Sequence, residues 1–178
     1  FIAELRACAM AAHDTVRAEA VTRSDARSMA TTLSLAVVAW PWMYILQLGD
    51  SRCYFYEDGA LRQVTRDQTM AQDLVDDGVL QRETAQKSPL AHVLSSAIGA
   101  STAAPAVTRV DVRKRGCVVL VCTDGLTKHV TDAELATHLG AMESAEQVCG
   151  ALLALALERG GTDNITIVVG RAREDKKT

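Results

Sequence analysis

The sequence predicts an α+β protein, a β-sandwich of antiparallel strands flanked by helices on both faces. Three observations lead there. Between Thr31 and Thr65 short β-branched and apolar stretches alternate with tight-turn residues. Helical spacing governs the opening, Phe1 to about Ala20, and a long stretch near the end, Ala145–Glu158. Two more strand-like runs, Cys117–Thr123 and Ile165–Gly170, each have an aspartate within two residues of one end. With no repeat, low-complexity segment or linker, the 178 residues read as one domain, 1–178.

In order, Ile2, Leu5, Cys8 (or Ala9), Ala12 and Val16 make the apolar stripe of a first helix, and Val21–Ser28 reads as a loop. Thr31–Trp40 is a strand that Trp40-Pro41-Trp42 turns, the tryptophans packing around the hairpin end. Met43–Leu48, Arg52–Glu57 and Leu61–Thr65 follow as short strands. The last two are joined by Glu57-Asp58-Gly59-Ala60, where Asp-Gly signals a tight hairpin. Residues 67–100 turn helical and polar, with helices expected at Met70–Asp77, Arg82–Lys87 and Leu90–Ile98. So long an insertion between strands packs as a flap over a site. Val107–Val112 returns to strand, and Cys117–Thr123, with its unbroken apolar residues, reads as buried on both faces. Thr131 with Glu134 forms a capping box for a helix through Leu139. Ser144 with Gln147 repeats the device before Ala145–Glu158, which Gly160-Gly161 ends.

Composition narrows the function. A net charge of −3 with no basic face gives nucleic acid no footprint, and no apolar run approaches the roughly 20 residues that cross a bilayer. Five cysteines, odd in number and without a C-x-x-C, read as buried thiols of a reducing cytoplasm. The four histidines are scattered, which argues against zinc.

The chemistry lies in three acids at strand ends. Asp124 follows its strand and Asp163 precedes its own, so the two meet at one sheet edge only if those strands are antiparallel. Asp50, in Gly49-Asp50-Ser51-Arg52, also follows an apolar run. Alone, each reads first as a turn residue, and even for the three together structural turns stand as an equal alternative to metal chemistry. If all three converge they would repel each other unless a cation sits among them, and oxygen donors without His or Cys suit Mg²⁺ or Mn²⁺. Paired ions of that kind serve phosphate-ester hydrolysis without a protein nucleophile. A nucleophile elbow fails at Cys53, and no phosphate-binding glycine loop is present.

At this point the chain resembles the protein phosphatase 2C (PPM) family of metal-dependent Ser/Thr phosphatases, in particular its bacterial members. Five stretches arrive in the family's order: Ser28-Met29-Ala30-Thr31-Thr32, Gly49-Asp50-Ser51-Arg52 with Tyr54 and Asp58-Gly59, Leu61 to Asp67, Cys122-Thr123-Asp124-Gly125-Leu126, and Gly161-Thr162-Asp163-Asn164-Ile165-Thr166. The resemblance implies two antiparallel sheets between pairs of helices (α-β-β-α). It implies a binuclear Mn²⁺ or Mg²⁺ centre held by Asp124 and Asp163, and a third, weaker ion that Asp50 helps to hold. Its substrates would be phosphoproteins made by a Ser/Thr kinase. The family's N-terminal strands, with a phosphate-binding arginine and a bridging Asp-Gly, have no match here, since the chain opens at Phe1 in a helical pattern without an initiator methionine. The expectation is an N-terminally incomplete domain, inactive or weakly active by itself. The alternatives are a non-catalytic relative serving as a binding or regulatory module, or a plain α+β domain with incidental acids.

Overall fold

The structure is a computed structural model and describes residues 1–22, 29–113 and 116–172. In chain order its elements are α1 (Ile2–Thr22), β1 (Leu33–Ala39), β2 (Trp42–Leu48), β3 (Arg52–Glu57), β4 (Ala60–Gln63), α2 (Met70–Asp76), α3 (Arg82–Gln86), a 3₁₀ turn (Pro89–His92), β5 (Ala106–Asp111), β6 (Val118–Cys122), α4 (Asp124–Thr127), α5 (Asp132–Gly140), α6 (Ala145–Glu158) and β7 (Ile167–Arg171). One sheet has the order β1-β2-β5, the other β4-β3-β6-β7. The predicted mixture of antiparallel sheets and flanking helices is what forms. Among the described residues no helix is long and apolar enough to cross a membrane.

The described chain divides into two compact units. The first comprises residues 1–35, 44–51 and 66–108. Its core gathers Ala9 of α1, Leu46 and Leu48 of β2 and Ile98, with Val16, Leu33 and Val107 packed against them. The inward stripe of α1 therefore runs through Ala9 and His13, while Cys8 and Ala12 face outward. His13 is buried because its Nδ1 accepts a hydrogen bond from the Gly99 amide, 3.1 Å away. The helix also continues to Thr22, past the predicted loop start at Val21, and the remainder of that loop, 23–28, lies outside the described residues.

Residues 67–100 belong to this unit and fold as a stitched insertion. Thr69 caps α2, accepting from the Gln72 amide, and the Met70 amide donates to Val93 O at 2.8 Å. The Ser95 amide donates to Gln68 O at 2.9 Å. Arg66 grips α2 from outside, its Nη2 lying 2.7 Å from Asp73 and its Nε donating to Asp76. These ties overturn one expectation. Leu90–Ile98 is not a helix, because Pro89–His92 makes a single 3₁₀ turn and Val93 then goes extended to meet Met70, with Leu94 bridging Thr69.

The second unit comprises residues 36–43, 52–65 and 109–172 of the described chain. The β3–β4 hairpin turns at Asp58 and Gly59, with φ of 52° and 79°, the left-handed pair that the tight turn requires. The β4 strand stops at Gln63, short of the predicted Thr65. Beyond it the Val64 amide still donates to Cys53 O (2.8 Å), and Thr65 Oγ1 accepts from the Cys53 amide (2.9 Å). The alternation in β6 buries Val118, Leu120 and Cys122 and leaves Val119 and Val121 partly exposed, less than the burial on both faces that its sequence predicts. Within this unit α5 and α6 contribute Leu135, Leu139, Val148, Leu152 and Ala156 to a core with Tyr54, Leu120 and Leu126. Each such large side chain taken out of water contributes about 1.5–3 kcal/mol. At the β1–β2 turn Trp42 lies beneath the guanidinium of Arg109, 4.2 Å from its ring centre, whereas Trp40 is exposed and does not pack as expected.

Candidate metal and active site

The second unit's sheet edge is built by the pairing of β6 with β7. These strands are antiparallel, with Cys122 opposite Ile167, so the residue leaving β6 and the loop entering β7 emerge at the same end. Thr123 fastens them. Its amide donates to Thr166 O (3.1 Å), its hydroxyl accepts from the Thr166 amide (3.0 Å) and donates to Asn164 O (3.0 Å). Thr123 is also the N-cap of α4, so Asp124 opens a short helix where the sequence suggests only a turn. A Cβ on Gly125 would stand 2.4 Å from Asn164 O, and glycine is required here for close backbone approach.

This arrangement brings Asp124 and Asp163 together. Lys128, one helical turn after Asp124, places its ammonium nitrogen 2.6 Å from Asp124 Oδ2 and 2.6 Å from Asp163 Oδ2. Partial burial pulls the Lys128 ammonium down, but hydrogen bonds with Asp124 and then Asp163 outweigh it and hold the group above the usual lysine range. The Lys128 and Asp124 side chains are 27% and 30% exposed and that of Asp163 46%, so solvent screens these contacts in part. The donor set fits a hard cation: two carboxylates already converge on one positive charge.

The Asp163 loop is held from behind as well. The Thr162 amide donates to His129 Nε2 (3.2 Å), and Arg159 Nη1 donates to His129 O (2.7 Å). Arg159 is in turn clamped to Glu134, the capping-box residue of α5, at 2.5 Å. That guanidinium first, and the Thr131 amide and hydroxyl after it, hold the Glu134 carboxyl well below its usual range. Lys128, His129 and Thr123 are contributions that sequence reasoning missed. Their partners sit 33 to 43 residues away, and only the small residues beside the two acids hint at a close approach.

Asp50 lies in the first unit, on the turn between β2 and β3. That turn is rigidly made. Gly49 has φ 99°, and a Cβ there would meet Thr32 Cγ2 at 2.4 Å. The Gly49 amide donates to Gln68 Oε1 (2.8 Å), and its carbonyl accepts from Gln68 N (3.1 Å) and Gln47 Nε2 (3.0 Å). Gln68 thereby ties the base of the 67–100 insertion to the residue beside Asp50. Among the described residues no group of three or more His, Cys, Asp or Glu side chains gathers to hold a metal.

Comparison with known proteins decides the family, because the protein phosphatase 2C model matches residues 2–157. The chain belongs to the protein phosphatase 2C family. This phosphatase 2C chain is 34% identical over 168 residues to the serine/threonine protein phosphatase PstP of Mycobacterium tuberculosis, a match covering 94% of this chain and 32% of that protein. It thus spans about a third of the length of that relative. The crystal structure of the M. tuberculosis phosphatase PstP/Ppp superposes with a TM-score of 0.84 at 31% identity, over 91% of this chain and 68% of that one. A PstP catalytic domain solved in complex with two manganese ions gives 0.79 at 31% identity, over 91% and 67%.

Proposed function

We propose that this phosphatase 2C chain serves the hydrolysis of phosphoserine and phosphothreonine in proteins, only weakly by itself, with Mn²⁺ or Mg²⁺ held by Asp124 and Asp163. The observation that carries the reading is the convergence of those two carboxylates on one cationic nitrogen at the β6–β7 edge. A pair of such ions, when bound, makes water nucleophilic at neutral pH and neutralises charge on the phosphoryl group. The chain's own residues supply the frame. Thr123 fixes the distance between the two acid-bearing segments, Gly125 lets them approach, and His129 with Arg159 holds the loop that presents Asp163. Asp50 is proposed as a ligand of a third, weaker ion. The substrates are phosphoproteins, a class the names of the relatives support, and a Ser/Thr kinase would make them.

The test is Mn²⁺-dependent hydrolysis of a phosphothreonine peptide. Turnover, even if slow, should rise with Mn²⁺, fall with a chelator and vanish in Asp124→Asn and Asp163→Asn. Turnover indifferent to all three would overturn the reading. A second reading, a non-catalytic regulatory module, is favoured by one observation: Lys128 already neutralises the acid pair. It predicts no turnover and a melting temperature unmoved by millimolar Mn²⁺, since ligand binding to the folded state must raise stability.

A further inference from the structure

The notable feature of the acid pair is what lies in it. Lys128 is not a bystander on a helix surface. It is positioned by Asp124 four residues earlier and by Asp163, thirty-five residues away, at the same 2.6 Å from each. We infer that Lys128 is a tethered counter-ion that occupies the cation position between Asp124 and Asp163 and must leave before a divalent ion binds there. This rests on the metal reading above and adds to it a control on affinity.

The physical case has three parts. An ammonium and a divalent metal ion compete for the same carboxylate oxygens, and two positive ions in one such space repel strongly. The ammonium is attached, so its local concentration is high and needs no free ligand. Its four-carbon stem has enough rotamers to withdraw toward solvent without moving the backbone. The folded protein therefore divides between a closed state, with Lys128 between the acids, and an open state competent for metal. Apparent affinity is the intrinsic affinity reduced by the open fraction. In the metal-free protein the same lysine offsets the repulsion of Asp124 and Asp163.

The experiment is calorimetric titration of Mn²⁺ into the wild-type chain, Lys128→Met and Lys128→Gln, with melting curves with and without Mn²⁺. Both variants should bind Mn²⁺ about tenfold more tightly or better, the gain that an open fraction of about one-tenth in the wild type would give. Their metal-free melting temperatures should fall, and their Mn²⁺-induced rise should exceed that of the wild type. The gain should disappear when Asp163→Asn is added. Lys128→Gln keeps a polar, hydrogen-bonding end, so it carries the test if the methionine variant folds poorly without metal. Equal Mn²⁺ affinity in wild type and both variants would overturn this inference while leaving the metal site intact. A gain that survives Asp163→Asn would also overturn it, because the competition would then lie elsewhere. No Mn²⁺ binding by any of the three would overturn both it and the metal reading.

Discussion

Substituting Gly125 by alanine puts one methyl group into the closest backbone approach at the site. The new Cβ would stand 2.4 Å from Asn164 O, 3.0 Å from Asn164 C and 3.3 Å from Ile165 Cγ1. Ordinary contact begins near 3.4 Å, so the Asn164 backbone must retreat by about 1 Å. That retreat stretches the Thr123 Oγ1–Asn164 O hydrogen bond, now 3.0 Å. Overpacking of this kind costs about 1–3 kcal/mol. Gly125 lies in the helical backbone of α4, so alanine also regains about 0.5–1 kcal/mol of intrinsic helix preference. The net expectation is a loss of about 1–2 kcal/mol, or about 2–8 °C in melting temperature for a chain of this size. Gly150→Ala is the matched control. It lies in α6, and a Cβ there has nothing within 4 Å, so it should stabilise by about 0.5–1 kcal/mol. Urea unfolding monitored by tryptophan fluorescence or circular dichroism reads both. Because Asp163 adjoins Asn164, Gly125→Ala should also weaken Mn²⁺ binding. A Gly125→Ala protein as stable as the wild type would refute the claim that close approach, and not turn geometry, demands glycine here.

Tyr54→Phe removes a hydroxyl that donates to Asp132 Oδ1 and accepts from Arg52 Nη1, each at 3.0 Å, from a fully buried ring. It should cost about 1–3 kcal/mol in urea unfolding. Glu134 is held below its ordinary pKa by Arg159, so it binds fewer protons folded than unfolded. Its contribution to stability is present above pH 4.5 and declines as pH falls below that value, and Glu134→Gln should flatten this part of the acid-unfolding profile. The Cys53 thiol is pushed up to about 12 by burial, whereas Cys8 is exposed. Titration of native protein with an aromatic disulfide at pH 8 should find Cys8 fast and Cys53 silent until unfolding. A fast Cys53 would contradict the buried core assigned to β3.

Features set by neighbouring residues were legible in the sequence. Asp58-Gly59 makes its hairpin, Thr131 with Glu134 makes its capping box, and α6 has the predicted ends, because each depends on a few adjacent groups. Ser144 makes only half of its expected box, its side chain accepting from the Gln147 amide. The meeting of Asp124 with Asp163 was readable only as a condition, that their strands run antiparallel, and the pairing of β6 with β7 meets it. What escaped was set by tertiary contact. Leu90–Ile98 has apolar residues at helical spacing, but Val93 and Leu94 are recruited by Met70 and Thr69 across the base of the insertion. A lysine four residues after an aspartate reads as an ordinary helix-surface pair. Only the packing of a loop thirty-five residues on turns Lys128 into a site residue.

The central claim is that Asp124 and Asp163 together hold a divalent ion. Electron paramagnetic resonance of Mn²⁺ tests it directly, because free hexaquo Mn²⁺ gives a sharp signal that is lost on binding. The account predicts saturable loss of that signal with the wild-type chain, and strong weakening in both Asp124→Asn and Asp163→Asn. An undiminished signal with the wild type, or binding that neither substitution alters, would contradict it.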